Sequence, residues 1–569
     1  MRSLEPVWNL ALARPYAVVF VLLFAFYFVY LAGVELRASV FADGAGRWLQ
    51  IQGLIAQNFS TFACHYDTAF DPEFRWLPGP WYFYYMVDGV CFYFYQYPYA
   101  MLAAPFVYWS PDYGYFVLNF IFLTLYIFAT MRTAREIFAR PAAELATGLI
   151  AFLVIPSPTF AYDLSEVMLF LAMLAAGLWF VVRGSGSGQY FEEAGARISG
   201  SVSTGTDFRE PPAASSGAAP KGTPSAPRAL LGGGLIIALA FALRTEAAIF
   251  LAAVAGALSL VHLAYGPKRS YDSFATRMRA AIAAPLPFIL GAAAGLLLVV
   301  AFHYAVFGNI AGNRGTAHVD QVLAEFSVAG QLEIARLLLF GGSLGLFSAL
   351  PSIALAGLWL VFPGARRAAG PAGAFFIFLS VAYILAVLIV APNDGGYSWS
   401  PRYLACVFAP LYLCIFAIFR RWRALHRWYV FAALAALAVY SLNFTHRGMK
   451  ILQRTSKQNL AYSSAIQSFG LDVVVFDAPP TIGFMSEEIL SDMRLYMALE
   501  KESAGDLLAR LAATGVREFL YLRTPLRAPS IALETAIDGD QSSAVFRSVQ
   551  QKDVGGMQIH HMRLTADSN

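Results

Sequence analysis

Charge is what this 569-residue chain has least of: Asp, Glu, Lys and Arg make up 13% of it, about half the share of a water-soluble domain. With 58% hydrophobic and 15% aromatic residues and a mean hydropathy of +0.57, a soluble globule is excluded and a polytopic membrane protein remains. Cysteine is also scarce, and four residues are too few for a disulfide framework. The chain shows no nucleophile elbow, no phosphate-cradling glycine loop and no thiol nucleophile signal. Its histidines lack the paired spacing of a metal site. No internal repeat is visible, which counts against a transporter built from inverted halves. The formal net charge of +4 does not point to nucleic acid, because the arginines sit in short loops between apolar runs, where they orient helices.

Those apolar runs are the dominant positive feature. Eleven are expected, near residues 15–34, 113–131, two before and after Pro156 and Pro158 and closing on Arg183, two within 230–265 interrupted at Arg244, 281–302, 343–362, 371–391, 403–419 and 428–444. Run 15–34 follows Arg2 and Arg14 and is long enough to span the hydrocarbon, so it reads as a retained anchor rather than a cleaved signal. Arginines fall on every second connection, which places the amino terminus inside and the carboxyl terminus outside. The fold class is therefore an α-helical polytopic membrane protein of about eleven transmembrane helices. Residues 1–446 form the membrane part, with outer loops 35–112 and 303–335. Residues 184–228, rich in Gly, Ser, Ala, Pro and Thr, read as a disordered cytoplasmic linker. Residues 447–569 read as a small extracytoplasmic α/β domain, with strands at 473–476, 519–522, 544–549 and 557–564 and an amphipathic stretch over 486–510. Its membrane is expected to be the cell's inner, cytoplasmic one.

Asp43 lies just outside the first run and opens the segment 43–57, whose Trp48, Leu49, Ile51, Leu54 and Ile55 suggest an interfacial amphipathic helix. Asp43 fits its N-cap, and it also fits a general base able to take a proton from an acceptor hydroxyl. Arg244, Arg314 and Arg402 break the orientation bias by lying on or next to the outer side. A carboxylate partner explains each, Glu246 for Arg244 and Asp394 for Arg402; so does a phosphate anion, which matches the guanidinium fork. Asp67 and Asp71 lie in the first outer loop, and Asp163 and Glu166 in the turn before the fourth run. The latter two fit helix-start acids or sugar contacts. His65, His303 and His318 are outer histidines; His65 and Asp67 with Asp43 around a divalent cation is the alternative to hydrogen-bonded interface residues, and no cofactor is expected. Cys406 and Cys414 read as packing residues, whereas Cys64 and Cys91 share the first outer loop and could be bridged in an oxidising compartment.

On these residues the chain resembles the GT-C superfamily of membrane glycosyltransferases, in particular bacterial relatives of protein O-mannosyltransferases and of the lipid A aminoarabinose transferase. The resemblance rests on Asp43 after the first run, Asp71-Pro72-Glu73 through Tyr97-Pro98 to Ala104-Pro105-Phe106, Ala242-Leu243-Arg244, Gly345-Leu346-Phe347 with Pro351, and Ser400-Pro401-Arg402-Tyr403. It implies transfer of a sugar from a polyprenyl-phosphate donor to an extracytoplasmic glycan, lipid or protein. Asp43 would be the base, Arg402 with Arg244 or Arg314 would hold the donor phosphate, and Asp67, Asp71 or Asp163 would supply a second acid. The Trp-Trp-Asp signature of oligosaccharyltransferases is missing, which argues against transfer of a whole oligosaccharide to asparagine. Two other classes compete: a transporter or flippase of a lipid-linked sugar, and an O-antigen ligase or polymerase.

Overall fold

A computed structural model describes residues 12–566 apart from 39–42, 80–82, 186–225, 266–272, 311, 313–326, 343–344, 392–401, 422–427, 524–530, 532–533 and 538–543. The membrane part begins with α1 (Pro15–Leu31), the interfacial α2 (Asp43–Ala56), a hairpin of β1 (Tyr84–Val87) and β2 (Val90–Tyr93), and α3 (Tyr97–Trp109). Then come α4 (Gly114–Phe138), α5 (Pro141–Leu153), α6 (Val167–Gly184), α7 (Ala226–Leu239), α8 (Glu246–Tyr265), α9 (Phe274–Ala283), α10 (Leu286–Phe307) and α11 (Val328–Phe340). A broken stretch over residues 346–361 leads to α12 (Pro363–Val390), a 3-10 turn (Arg402–Val407), α13 (Phe408–Arg421) and α14 (Trp428–Gln467).

Among the described residues six helices are long and apolar enough to cross a membrane, and four shorter apolar ones occupy other expected runs. The eleventh run is the first part of α14, which continues without interruption for 40 residues. The interruptions have chemical causes. Pro141 opens α5, and the Pro156 turn separates it from α6. In α12 the chain kinks at Gly370, whose φ of 60° suits only glycine comfortably, just before Pro371. Helix α4 packs on α6, α6 on α7, α7 on α10, and α12 on both α8 and α13. The α7–α10 crossing depends on small residues: a Cβ at Gly234 would lie 2.0 Å from the Phe288 carbonyl oxygen, so only glycine allows this approach. The expected linker falls largely on residues 186–225, outside the described residues.

The stretch between α2 and α3 also holds a hairpin. Asp88 and Gly89 both take positive φ, 49° and 77°, the backbone of a tight hairpin turn, and β1 pairs with β2 in register Tyr84↔Tyr93. Cys64 and Cys91 form the disulfide anticipated from their shared loop, next to an amide hydrogen bond from Cys64 to the Cys91 carbonyl (2.7 Å).

The carboxyl-terminal sheet comprises β3 (Val473–Phe476), β4 (Arg494–Met497), β5 (Glu518–Arg523), β6 (Glu534–Ile537), β7 (Ala544–Val554) and β8 (Met557–Ala566), in the order β4-β3-β5-β8-β7-β6. Strands β3, β4 and β5 are parallel and the rest antiparallel. The expected amphipathic stretch over 486–510 is instead two helices, α15 (Glu487–Asp492) and α16 (Lys501–Ala513), split by β4. Leu495, Tyr496 and Met497 are buried there, which a pairing strand achieves and a surface helix would not. All four residues of β3 are buried, as a strand covered on both faces requires. Val474 and Phe476 join the core continuous with the helices, while Val473 and Val475 pack with Phe70, Trp76, Leu507 and Leu511. The period of two thus splits the sheet between the helical body and a far layer made of α16 and the first outer loop.

Candidate active site

Helix α2 starts at Asp43 and is held on three sides. Gly46 lets the Tyr95 ring lie against it, since a Cβ there would come within 2.4 Å of Tyr95 Cε2. Gln50 Nε2 donates to the Tyr95 carbonyl (2.9 Å). Trp48 Nε1 donates to the Glu487 carbonyl and to Ser491 Oγ, both at 3.1 Å, which ties the helix bearing Asp43 to α15 of the sheet domain.

Around Asp43 the side chains close into a ring. Arg402 Nη1 lies 3.2 Å from Asp43 Oδ2, and the Tyr95 hydroxyl donates to Asp43 Oδ1 at 3.3 Å. The Tyr95 ring carries the Arg47 guanidinium 4.5 Å above its centroid. Arg47 pairs with Glu166 at 2.7 Å, and Glu166 pairs with Arg244 at 3.2 Å. Arg244 also meets Glu246 at 2.5 Å. Tyr403 completes the circuit: the Arg244 and Arg402 guanidinium carbons lie 5.5 and 5.6 Å from its ring centroid. Three arginines therefore face three carboxylates, with two aromatic rings as spacers.

The ring is graded in exposure. The Arg47, Glu166 and Arg244 side chains are at most 3% exposed, whereas Arg402 and Asp43 are 14% and 36% exposed. The buried half is a scaffold, because each guanidinium there is compensated by a carboxylate. Burial pulls the Arg47 guanidinium down, but Glu166 and then Asp43 outweigh it and hold Arg47 above its ordinary value. The solvent-facing half is Asp43 with Arg402, and Arg402 Nε finds no hydrogen-bond partner among the described residues.

Asp163 borders the same half. Burial pushes its carboxyl up to about 6, against the opposing pull of Arg47, and the Asp43 charge adds to the rise. Its backbone is positioned by Asn119 Nδ2, which donates to the Asp163 carbonyl (2.9 Å), while Asn119 Oδ1 accepts from the Tyr99 hydroxyl (3.1 Å).

The structure thus brings together Asp43, Asp163, Glu166, Arg244 and Arg402, residues from four separate stretches of chain. Arg244 has the carboxylate partner anticipated in Glu246 and gains Glu166 as a second. Arg402 pairs with Asp43; its anticipated partner Asp394 lies outside the described residues, as do Arg314 and His318. Asp71 and Asp67 serve a different purpose. The Asp71 carboxylate is buried and accepts from the Tyr66 hydroxyl (2.8 Å) and the amides of Arg75 (3.0 Å) and Trp76 (2.8 Å). Asp67 Oδ1 accepts from the Phe70 amide (3.1 Å). Both shape the loop that inserts Phe70 and Trp76 under the sheet. Among the described residues no three His, Cys, Asp or Glu side chains gather as a metal-ligand set. Sequence reasoning missed Arg47, Tyr95 and Tyr403. Arg47 had a usable signal, since it stands four residues after Asp43 and so one helical turn along the same face.

Fold and site together define a multi-pass α-helical membrane protein with a compensated arginine–carboxylate ring at the foot of a carboxyl-terminal α/β domain. No family model matches the chain and no curated protein does. Among solved structures, the Archaeoglobus fulgidus oligosaccharyltransferase in complex with zinc and sulfate shares 13% identity at a TM-score of 0.44, over 88% of this chain and 67% of that one. AglB from the same organism, in complex with an inhibitory peptide and a dolichol-phosphate, shares 12% identity at a TM-score of 0.44, over 91% of this chain and 70% of that one. A likeness at that level carries no functional weight, and the site is read below from its own residues.

Proposed function

We propose that this protein is a membrane glycosyltransferase that moves a sugar from a polyprenyl-phosphate donor to an extracytoplasmic glycan, lipid or protein acceptor. The observation that carries the reading is the half-exposed Asp43–Arg402 pair, 3.2 Å apart, backed by a buried scaffold that fixes both partners. Asp43 takes the proton of the acceptor hydroxyl as its oxygen attacks the anomeric carbon. The carbon–oxygen bond to the carrier breaks, and the phosphate departs as an anion onto the Arg402 fork. Positive charge builds on the sugar ring in between, so a carboxylate on one face and a guanidinium on the other stabilise the transition state, and the configuration inverts.

Base and clamp touch at 3.2 Å, which leaves no room for a sugar ring between them. Donor binding must therefore part them: the phosphate replaces the Asp43 carboxylate on Arg402, and the freed carboxylate turns to the acceptor. In this reading the site lies at the outer leaflet of the inner membrane, with the sheet domain outside.

The test is a reconstituted transfer assay with a labelled polyprenyl-phosphate sugar, comparing the native chain with Asp43→Asn. Transfer should be almost abolished while the donor still binds. Unchanged turnover would remove Asp43 from the mechanism.

A further inference from the structure

At the other end of the bundle from Asp43, where α4, α6 and α8 finish and α7 starts, the helices form a partly open cavity of about 230 Å³. Its walls are mostly apolar, with Ile137, Val182, Leu230, Leu258, Val261 and Phe375 among them, and His262 as the one ionisable group among the described residues. A hollow of this size between helices is far larger than the water-sized gaps that close packing leaves. Water gains little there, because few polar atoms converge on it.

The rim is basic. Arg183 directly follows wall residue Val182 at the end of α6, and the Gly184 backbone beside it is packed against Leu230 and Ala226 at the start of α7. That junction also carries Arg228, which is exposed. Arg420, at the end of α13, donates to the carbonyl of wall residue Ile137 at 3.5 Å. Glu136, held by Trp179 Nε1 (3.3 Å), shares this end. This is the arginine-rich side of the chain, the side that faces the anionic cytoplasmic leaflet in a bacterial or cellular membrane.

From an apolar hollow with cations at its mouth, we propose that the cavity holds one acyl chain of an anionic phospholipid whose phosphate is met by Arg183, Arg228 and Arg420. The site is independent of Asp43, which sits at the opposite ends of these helices, and it stands whether or not the transferase reading does. A free phosphate would satisfy the arginines but not the hollow, and a zwitterionic lipid would fill the hollow but offer its phosphate beside a cation.

The experiment uses the full chain in vesicles containing phosphatidylglycerol with a photoactivatable group at the end of one acyl chain, or phosphatidylcholine with the same tail, and maps the cross-linked peptides. Phosphatidylglycerol should label residues 258–262 and 375–376 in clear preference to phosphatidylcholine. Arg228→Gln and Arg420→Gln should each lower that labelling about fivefold, the scale for one basic side chain near an anionic surface. Ala284→Leu, which adds volume at the wall without altering charge, should lower it as well. Equal labelling by both headgroups would overturn the proposal. So would labelling confined to outward-facing residues such as Leu297 and Leu298, or displacement of the label by polyprenyl phosphate in preference to unlabelled phosphatidylglycerol.

Discussion

Asp43 Oδ2 and Arg402 Nη1 lie 3.2 Å apart although their residues are 359 positions apart in the chain. Each is also fixed from behind: Asp43 by Tyr95, and Arg402 by the face of Tyr403. The pair is a preformed opening in an otherwise closed circuit of charge, and substitutions around the circuit should separate clamp, scaffold and base.

For Arg402→Ala the donor KM should rise about ten- to a hundredfold, the loss expected for hydrogen bonds to an ionised group. Arg402→Lys should restore the charge but not the planar fork, and so recover only part of the affinity. Donor titrations of both variants in the transfer assay check this, and normal donor affinity in Arg402→Ala would count against a phosphate contact.

Glu166→Gln should act on stability first. Its carboxylate serves both Arg47 and Arg244, and all three side chains are buried. Removing one partner from buried ion pairs is destabilising by about 3–5 kcal/mol. A marked fall in melting temperature in detergent should accompany any loss of transfer, whereas Asp43→Asn should melt close to the native chain.

Asp163 gives a pH signature. Its carboxyl is raised from an ordinary 3.8 to about 6 by burial, so the folded chain binds that proton more tightly than the unfolded chain does. The resulting stability is fully present below about 3.8 and is lost as pH rises through about 6. Asp163→Asn should flatten the stability profile across that window and remove any inflection near pH 6 from the transfer rate. Melting curves at stepped pH measure the first effect directly.

The Cys64–Cys91 bridge closes a loop with a sequence separation of 27, for which chain entropy suggests about 3.5 kcal/mol. The loop carries the hairpin that leads into Tyr95. Cys64→Ser with Cys91→Ser should lower the melting temperature and make it indifferent to reductant, and should reduce transfer by loosening the Tyr95 contact to Asp43.

Much of this arrangement was legible before the structure. Asp43 and Arg402 stood out because a charge just beyond an apolar run is rare enough to need a reason, and Glu246 was readable as the partner of Arg244. The run boundaries at Pro156 and Pro371 were equally plain, since proline cannot continue the ladder. Tyr95 and Tyr403 were not legible, because in a chain with 15% aromatic residues two more tyrosines carry no contrast. The hairpin was hidden by the same aromatic background, although Asp88-Gly89 is a strong turn pair. Strand β4 was absorbed into a helical pattern because four residues are too few for periodicity to separate the two. The pairing of Glu166 with Arg47 depends on the packing of α2 against the turn before α6, which no local pattern encodes.

Helix α14 has one more consequence. It runs unbroken from Trp428 to Gln467, about 60 Å at the usual rise, past Tyr30 and Glu35 at the exit of α1 and on to Gly555 in the β7–β8 turn. It acts as a ruler: the stand-off of the sheet from the exit of α1 is counted in helical residues, with no hinge to absorb an error. One residue inserted between 447 and 460 would advance the sheet by about 1.5 Å and swing it by about 100°. Length drift in that stretch is therefore tolerable only in whole turns.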